Sequence, residues 1–144
     1  MKREYLTRAH VLDAIPDRTD TVVAGFDMIL QALPAYTQPK HGFAVLEDGK
    51  IYAIFGLVPL WHGVAETWMI PTKRLKTKKF SASRHMKEGL DQLIDELKVR
   101  RAQAAVKVGH TEAHRLVQFV GMQEEGLMKK YGPDGSDFVR YARW

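Results

Sequence analysis

The stretch HGFAVLEDGKIYAIFGLVP, residues 41–59, constrains the fold more than any other part of the sequence. It holds two runs rich in β-branched and aromatic residues, separated by Asp48-Gly49. An Asp-Gly pair between such runs is typical of the two-residue turn of an antiparallel hairpin. After the turn LWHG, the segment VAETWMI is a third run of the same kind, which Pro71 ends. The sequence therefore predicts a three-stranded antiparallel meander.

A long amphipathic helix is predicted next, from roughly Lys78 to Arg100. Apolar residues recur there at helical spacing and mark one buried face, at Met86, Leu90, Leu93, Ile94 and Leu97. The short segment AQAAVKV that follows is small and β-branched. Because it comes after a long helix, we expect a central strand parallel to the strand before that helix.

The N-terminal quarter predicts a short strand in REYLTRA and a short helix in AHVLDAIP, closed by Pro16. The segment RTDTVVAGFDMILQALP begins with Asp and Thr capping candidates and carries apolar residues at helical spacing up to Pro34. It predicts a second helix.

The C-terminal part predicts a compact helix in HTEAHRLVQFVG, with Thr111 as its N-cap and Gly121 just past its end. A strand, a turn at GPDG and a final strand, DFVRYARW, follow. We expect this last strand to be exposed and able to pair with a second copy of the chain.

The predicted order is β-α-α-β-β-β-α-β-α-β-β in one domain over residues 1–144, a length that fits a single core. The predicted fold class is α+β, in α/β/α layers. It consists of a mixed, mostly antiparallel sheet of about six to seven strands with helices on both faces.

The composition excludes several classes of protein. No run of about 18 apolar residues can span a bilayer, and the first ten residues have no apolar signal core. Without cysteine there is no disulfide framework, thiolate nucleophile or cysteine-type zinc site. The six histidines are scattered, and their spacing predicts no metal site. We expect a cytoplasmic protein without a membrane partner.

The positive charge concentrates in one segment. The net charge is +5 and the pI is near 9.5, which favours an anionic partner. The segment TKRLKTKK supplies Lys73, Arg74, Lys76, Lys78 and Lys79. These cations can contact phosphate groups, such as those of nucleic acid, or form a solvated surface.

This order of elements, with its end motifs, resembles the GNAT superfamily of acetyl-CoA-dependent N-acetyltransferases. The family's late motif reads Asn-x-x-Ala-x-x-Leu-Tyr-x-x-x-Gly-Phe, followed by a strand that begins with Glu-Gly. Here those positions hold His110, Ala113, Leu116, Val117, Gly121 and Met122, and then EEG at Glu124 to Gly126. More narrowly, IFGLVPLWHGVAETWMI and the tail from residue 114 are similar to small GNAT-like proteins of tailed bacteriophages.

The resemblance implies acetyl-CoA binding between two parting strands, with the pantetheine arm along the main chain of Trp68, Met69 and Ile70. It places the pyrophosphate at the start of the long helix, where free N–H groups favour an anion. The family's loop there is Arg/Gln-x-x-Gly-x-Gly/Ala. This chain has no glycine in residues 71–86, and side chains at these positions would crowd a phosphate. The expected phosphate-binding residues are Lys78, Lys79, Ser81, Ala82, Ser83 and Arg84.

Acetyl transfer to an amine needs a proton acceptor for the amine and a proton donor for the departing thiolate. The resemblance makes Glu66 the candidate base, although a strand carboxylate paired with a lysine explains it equally. Val117 occupies the position at which the family has the tyrosine that acts as general acid, and valine has no proton to donate. Tyr131 and His114 are the available replacements, and Tyr131 is the catalytic candidate.

Two functions stay open at this point. One is an N-acetyltransferase, phage-encoded, that moves an acetyl group from acetyl-CoA to a primary amine of a protein or small molecule. The other is a GNAT fold without catalysis that serves as a virion or assembly protein, or binds a host protein or nucleic acid. The retained Glu66 and the intact core strand pattern favour the first, which is the leading hypothesis, and the missing glycine loop and Val117 favour the second. A monomer and a homodimer are both open.

Overall fold

The computed structural model describes residues 1–19 and 33–144. Its helices are α1 (Arg8–Ala14), α2 (Leu33–Tyr36), α3 (Lys79–Glu96) and α4 (Thr111–Phe119). Its strands are β1 (Lys2–Tyr5), β2 (Gly42–Glu47), β3 (Lys50–Trp61), β4 (Val64–Pro71), β5 (Arg101–Lys107), β6 (Gln123–Met128) and β7 (Phe138–Arg143). Apart from the second predicted helix, the described elements confirm the predicted order. Most of the helix predicted over residues 18–34 lies outside the described residues.

All seven strands form one sheet, in the order β1-β2-β3-β4-β5-β7-β6. Every neighbouring pair is antiparallel except β4 and β5, which are parallel. The parallel pair arises because α3 carries the chain from the end of β4 back to the start of β5, as crossover helices do. The prediction for AQAAVKV is thus confirmed.

The hairpin between β2 and β3 turns at the predicted Asp48-Gly49, where both residues have positive φ, 52° and 75°. Type I′ turns need this conformation at both central positions. The next turn is shorter than the predicted LWHG, because β3 continues to Trp61, which pairs with Val64. Only His62 and Gly63 connect β3 to β4.

The core lies on both faces of the sheet. One face packs against α3 and α4 through alternate strand residues such as Val45, Leu57 and Ala104. The other face packs against α1 and α2 through the intervening residues, such as Ala44 and Ile54. Alternation along the strands assigns each side chain to one layer, which confirms the predicted three-layer α+β class.

The caps of α4 differ from prediction at one end. The His110 ring accepts a hydrogen bond from the Ala113 N–H (3.2 Å), so His110 is the N-cap and Thr111 is the first helical residue. The imidazole nitrogen accepts the capping hydrogen bond that a hydroxyl or carboxylate oxygen usually accepts at this position. At the other end Gly121 has φ 96°, as predicted for a residue just past a helix.

The expectation that the final strand is exposed is wrong. β7 pairs with β5 along one side and with β6 along the other, so its main chain is hydrogen-bonded on both sides. The edges of the sheet are β1 and β6. A second copy could not add to β7 without displacing a neighbour.

Candidate functional site

The parallel strands β4 and β5 pair over only part of their length. Their register covers Val64–Glu66 against Arg101–Gln103. Beyond Glu66, β4 stays paired with β3 as far as Pro71, and β5 stays paired with β7 as far as Lys107. Each strand therefore follows its outer neighbour, and a gap opens between the two.

A cavity of about 490 Å³ occupies this gap. It is lined from both faces of the sheet. On the side of α3 and α4 its wall is apolar, with Met86, Leu90, Leu116, Val117, Val120 and Met122. On the opposite face it is more polar and aromatic, with Tyr36, Leu60, Glu66, Gln103, Tyr131 and Arg140. The opening thus joins an apolar channel to a polar site.

Glu66 lies at the point where the strands part. Arg140 Nη1 donates to both of its carboxylate oxygens, at 2.9 Å to Oε1 and 3.1 Å to Oε2. Gln103 Nε2 donates to Oε2 at 2.9 Å. The predicted ion pair therefore exists, but with an arginine of β7 rather than a lysine. Since a carboxylate oxygen accepts two hydrogen bonds, Oε1 has one acceptor position that no described residue occupies.

Tyr131 lines the same cavity, although the sequence did not fix its orientation. Its ring meets Phe138 edge-on, with centroids 5.4 Å apart. The Arg140 guanidinium lies 5.9 Å from the ring centroid, within the range of a cation–π contact. The two predicted catalytic residues, Glu66 and Tyr131, thus lie around one arginine.

Tyr36 also lines this cavity, and sequence reasoning missed it. Its ring packs edge-on against Trp68, with centroids 5.3 Å apart. Burial, and then the negative charge of Glu66, raise the pKa of the Tyr36 hydroxyl above its usual value. The phenol is therefore neutral over a wider pH range than in water. No local signal pointed to Tyr36, because its neighbours in space are distant in sequence.

His114, the other acid considered, faces away from the cavity lining. Its Nε2 donates to the Lys107 carbonyl (3.0 Å), so its Nδ1 accepts from the Tyr141 hydroxyl (2.8 Å). Both ring nitrogens are engaged in these structural bonds, with the tautomer assigned from its partners. Val117 does line the cavity, but it has no proton to donate.

Of the predicted main-chain residues, Trp68 and Met69 line the cavity, whereas Ile70 belongs to the core under α1. Thr67, next to them, also lines the cavity. Its hydroxyl is buried and has no hydrogen-bond partner among the described residues. A buried unpaired hydroxyl of this kind is uncommon.

A second cavity of about 220 Å³ lies between the end of β4 and the first turns of α3 and α4. Three lysines and a serine line it, namely Lys73, Lys76, Lys79 and Ser83. Lys79 lies 3.9 Å from Glu112, which also lines the cavity. Positive side chains and the start of a helix together favour an anion here.

The remaining predicted phosphate residues lie elsewhere. Lys78 forms an ion pair with Glu47 of β2, and Ser81 and Arg84 are exposed on α3 outside the second cavity's lining. Ala82 is fully buried against the core. Its Cβ therefore points away from the solvent side of the helix.

Comparisons of the sequence with family models and with curated proteins give no match. Solved structures do match the fold. An acetyltransferase of the GNAT family from Bacillus anthracis is 23% identical, with TM-score 0.61 over 72% of this chain and 65% of its own. A ribosomal-protein-alanine N-acetyltransferase from Brucella melitensis is 16% identical, with TM-score 0.74 over 99% of both chains. Mycobacterium smegmatis RimJ, in complex with CoA-disulfide, is 19% identical, with TM-score 0.71 over 98% and 80%.

These likenesses establish that the chain has the GNAT fold, and at such identities they establish the fold alone. The described part of the chain contains no helix long and apolar enough to cross a membrane. Within the same residues no three His, Asp or Glu side chains are grouped to hold a metal ion.

Proposed function

We propose that the protein is an N-acyltransferase that moves an acetyl group from acetyl-CoA to a primary amine. The observation that carries the proposal is the gap between β4 and β5, whose cavity runs from the apolar side of α3 and α4 to Glu66. Two fold neighbours support the proposal: one is a ribosomal-protein-alanine N-acetyltransferase, and another was solved in complex with CoA-disulfide.

Several residues fit a bound coenzyme A thioester. The freed main chain of β4 at Trp68 and Met69 borders the gap. Lys73, Lys76 and Lys79 in the second cavity would hold the phosphates, in place of the glycine loop that the sequence lacks. When bound, the thioester supplies the activated acetyl group.

On the polar side of the gap, Glu66 accepts a proton from the incoming ammonium, directly or through a water molecule. Arg140 and Gln103 hold its carboxylate in place. Tyr131 is the proposed proton donor to the departing sulfur, because Val117 cannot serve. A base and an acid positioned in this way each contribute roughly 10²- to 10⁴-fold to a rate.

A binding protein without catalysis is the second candidate. It is favoured by Val117, by the absent glycine loop, and by Phe80, which is 86% exposed beside Lys76, Lys78 and Lys79. Exposed aromatic and basic side chains together are typical of nucleic-acid binding. Bacteriophage origin, a virion or cytoplasmic location, and binding of a host protein remain predictions from the sequence.

Titration calorimetry with acetyl-CoA tests the proposal. We expect saturable binding, weakened roughly tenfold or more in the double variant Lys76→Gln/Lys79→Gln, because each charged hydrogen bond to a phosphate contributes about 1.5–3 kcal/mol. Lys98→Gln/Lys129→Gln removes the same charge away from both cavities and should bind normally. Absence of heat at high protein concentration would exclude the transferase, and a steep loss of nucleic-acid affinity with salt would support the second candidate.

A further inference from the structure

Arg140 has more hydrogen-bond donors than its partners use. Its side chain is only 19% exposed and lines the main cavity. An arginine has five N–H donors, and in Arg140 the Nη1 donors engage Glu66. Neither Nε nor Nη2 donates to any residue that the structure describes. A largely buried guanidinium with free donors at a cavity wall is suited to a ligand that accepts hydrogen bonds.

The charged side chains that line the cavity indicate which charges the ligand carries. Among the described residues, Glu66 and Arg140 are the only charged side chains that line it. These two charges cancel, so the described lining offers no net attraction to a polyamine or another simple cation. A molecule that carries one positive and one negative group matches both members of the pair.

We propose that the acceptor is an amine that also carries a carboxylate, as a free amino acid does. Its carboxylate is held by the free Nε and Nη2 edge of Arg140, in the two-pronged geometry that guanidinium groups favour. Its amine lies beside the open acceptor position of Glu66 Oε1. This inference rests on the proposed acyl transfer and specifies its second substrate.

The group transfer balances with these residues. The amine nitrogen bonds to the acyl carbon while the bond from that carbon to sulfur breaks. The ammonium loses two protons and keeps the third. Glu66 takes one and passes it to solvent. Tyr131 gives its hydroxyl proton to the sulfur and regains the other from the amine. The products are an N-acylated amino acid and a free thiol.

The walls around Arg140 suggest which amino acids to use as probes. Tyr36, Leu60 and Tyr131 line the polar side of the cavity and present rings and an alkyl group. Apolar or aromatic side chains pack well against such surfaces. Phenylalanine and tyrosine are therefore suitable probes, with phenethylamine and tyramine as the matched amines that lack the carboxylate.

The test measures kcat/KM for thiol release with each matched pair and acetyl-CoA. We expect the amino acid to exceed its decarboxylated partner by tenfold or more. In Arg140→Gln the order should reverse, because the unpaired Glu66 carboxylate then attracts the simple cation. Arg115→Gln removes the same charge from an exposed position of α4 and should keep the wild-type order. Equal rates within each wild-type pair, or a preference that persists in Arg140→Gln, would overturn the inference.

Ligand-observed NMR of the same pairs, with and without coenzyme A, keeps this test separate from the proposed function. If acetyl-CoA does not bind, the transferase fails, while carboxylate-dependent binding at Arg140 is still measurable. If acetyl-CoA binds but none of the probes is acetylated, the binding measurement decides. Equal affinity for the amino acid and its matched amine would then overturn the inference. If Arg140→Gln does not fold, Arg140→Lys replaces it. This variant keeps the charge but lacks the two parallel N–H donors, so it should lose part of the wild-type preference for the amino acid over the matched amine.

Discussion

At the scale of single residues, Glu66 is held by side chains of two other strands. It lies on β4 and accepts from Gln103 of β5 and Arg140 of β7. These hydrogen bonds fix the carboxylate at the mouth of the gap and leave one acceptor position open. Its chemistry can therefore be changed by one substitution with little change in packing.

Glu66→Gln should lower kcat by roughly 10²- to 10⁴-fold, as expected on loss of a general base. The amide oxygen still accepts from Arg140, so acetyl-CoA affinity should change little. Steady-state kinetics and calorimetry on the same preparation check both parts. Glu124→Gln, an exposed neutralisation on β6, is the matched control. An unchanged kcat in Glu66→Gln would remove Glu66 from the mechanism.

Gly89→Ala should destabilise the protein by about 1–3 kcal/mol, the usual cost of overpacking a core. In most helices this change is stabilising. Here a Cβ would lie 2.6 Å from Phe55 Cζ, 2.8 Å from Arg3 Cδ and 3.1 Å from Phe43 Cδ2. Urea unfolding measures the loss of free energy. Ser81→Ala, on the exposed face of α3, should be neutral or slightly stabilising, and a Gly89→Ala variant that behaved likewise would contradict the packing argument.

At the scale of elements, the sequence predicted what local patterns determine. The Asp48-Gly49 turn, the apolar face of α3 and the glycine after α4 each depend on a few adjacent residues. The position of β7 between β5 and β6 depends on hydrogen bonds between distant segments, and prediction failed there. The same limit applies to the site: Glu66 and Arg140 are 74 residues apart, so their pairing has no local signature.

The gap between β4 and β5 gives a prediction at this scale. Ala105 lines the cavity from β5 beyond the last paired residue. Ala105→Trp should fill the opening and weaken acetyl-CoA binding by at least tenfold, with a folded sheet shown by circular dichroism. Val108→Trp places the same ring at an exposed position after β5 and should bind normally. Full affinity in Ala105→Trp would place the thioester elsewhere.

At the scale of the whole molecule, a polar cluster ties the edge strand β1 to α3. Arg3 Nη1 lies 3.2 Å from His85 Nδ1 and 3.4 Å from Glu88 Oε2, and Nη2 lies 3.4 Å from Gln92 Oε1. Burial, and then the nearby Arg3 charge, lower the pKa of the His85 imidazole below its usual 6.5. The folded protein therefore favours neutral His85.

This lowered pKa has a definite sign for stability. As pH falls below 6.5, the unfolded chain takes up a proton that the folded chain resists, so the free energy of unfolding decreases. Urea midpoints at pH 7.5 and 5.5 should therefore fall more for wild type than for His85→Gln. His62→Gln, at an exposed turn, should retain the wild-type difference. If the urea midpoint falls by the same amount between pH 7.5 and 5.5 in wild type and His85→Gln, His85 is not the group responsible.

The place of β7 in the sheet also bears on how the chain is made. A ribosome delivers β5 and β6 before residues 138–143. Until that segment emerges, β6 has no partner strand, and β5 has only its short parallel pairing with β4. Nascent chains halted short of residue 138 would hold β1–β4 paired, β5 joined to β4 only at Arg101–Gln103, and β6 unpaired. Assembly of the polar side of the site, which needs Arg140 beside Glu66, is therefore among the last events of synthesis.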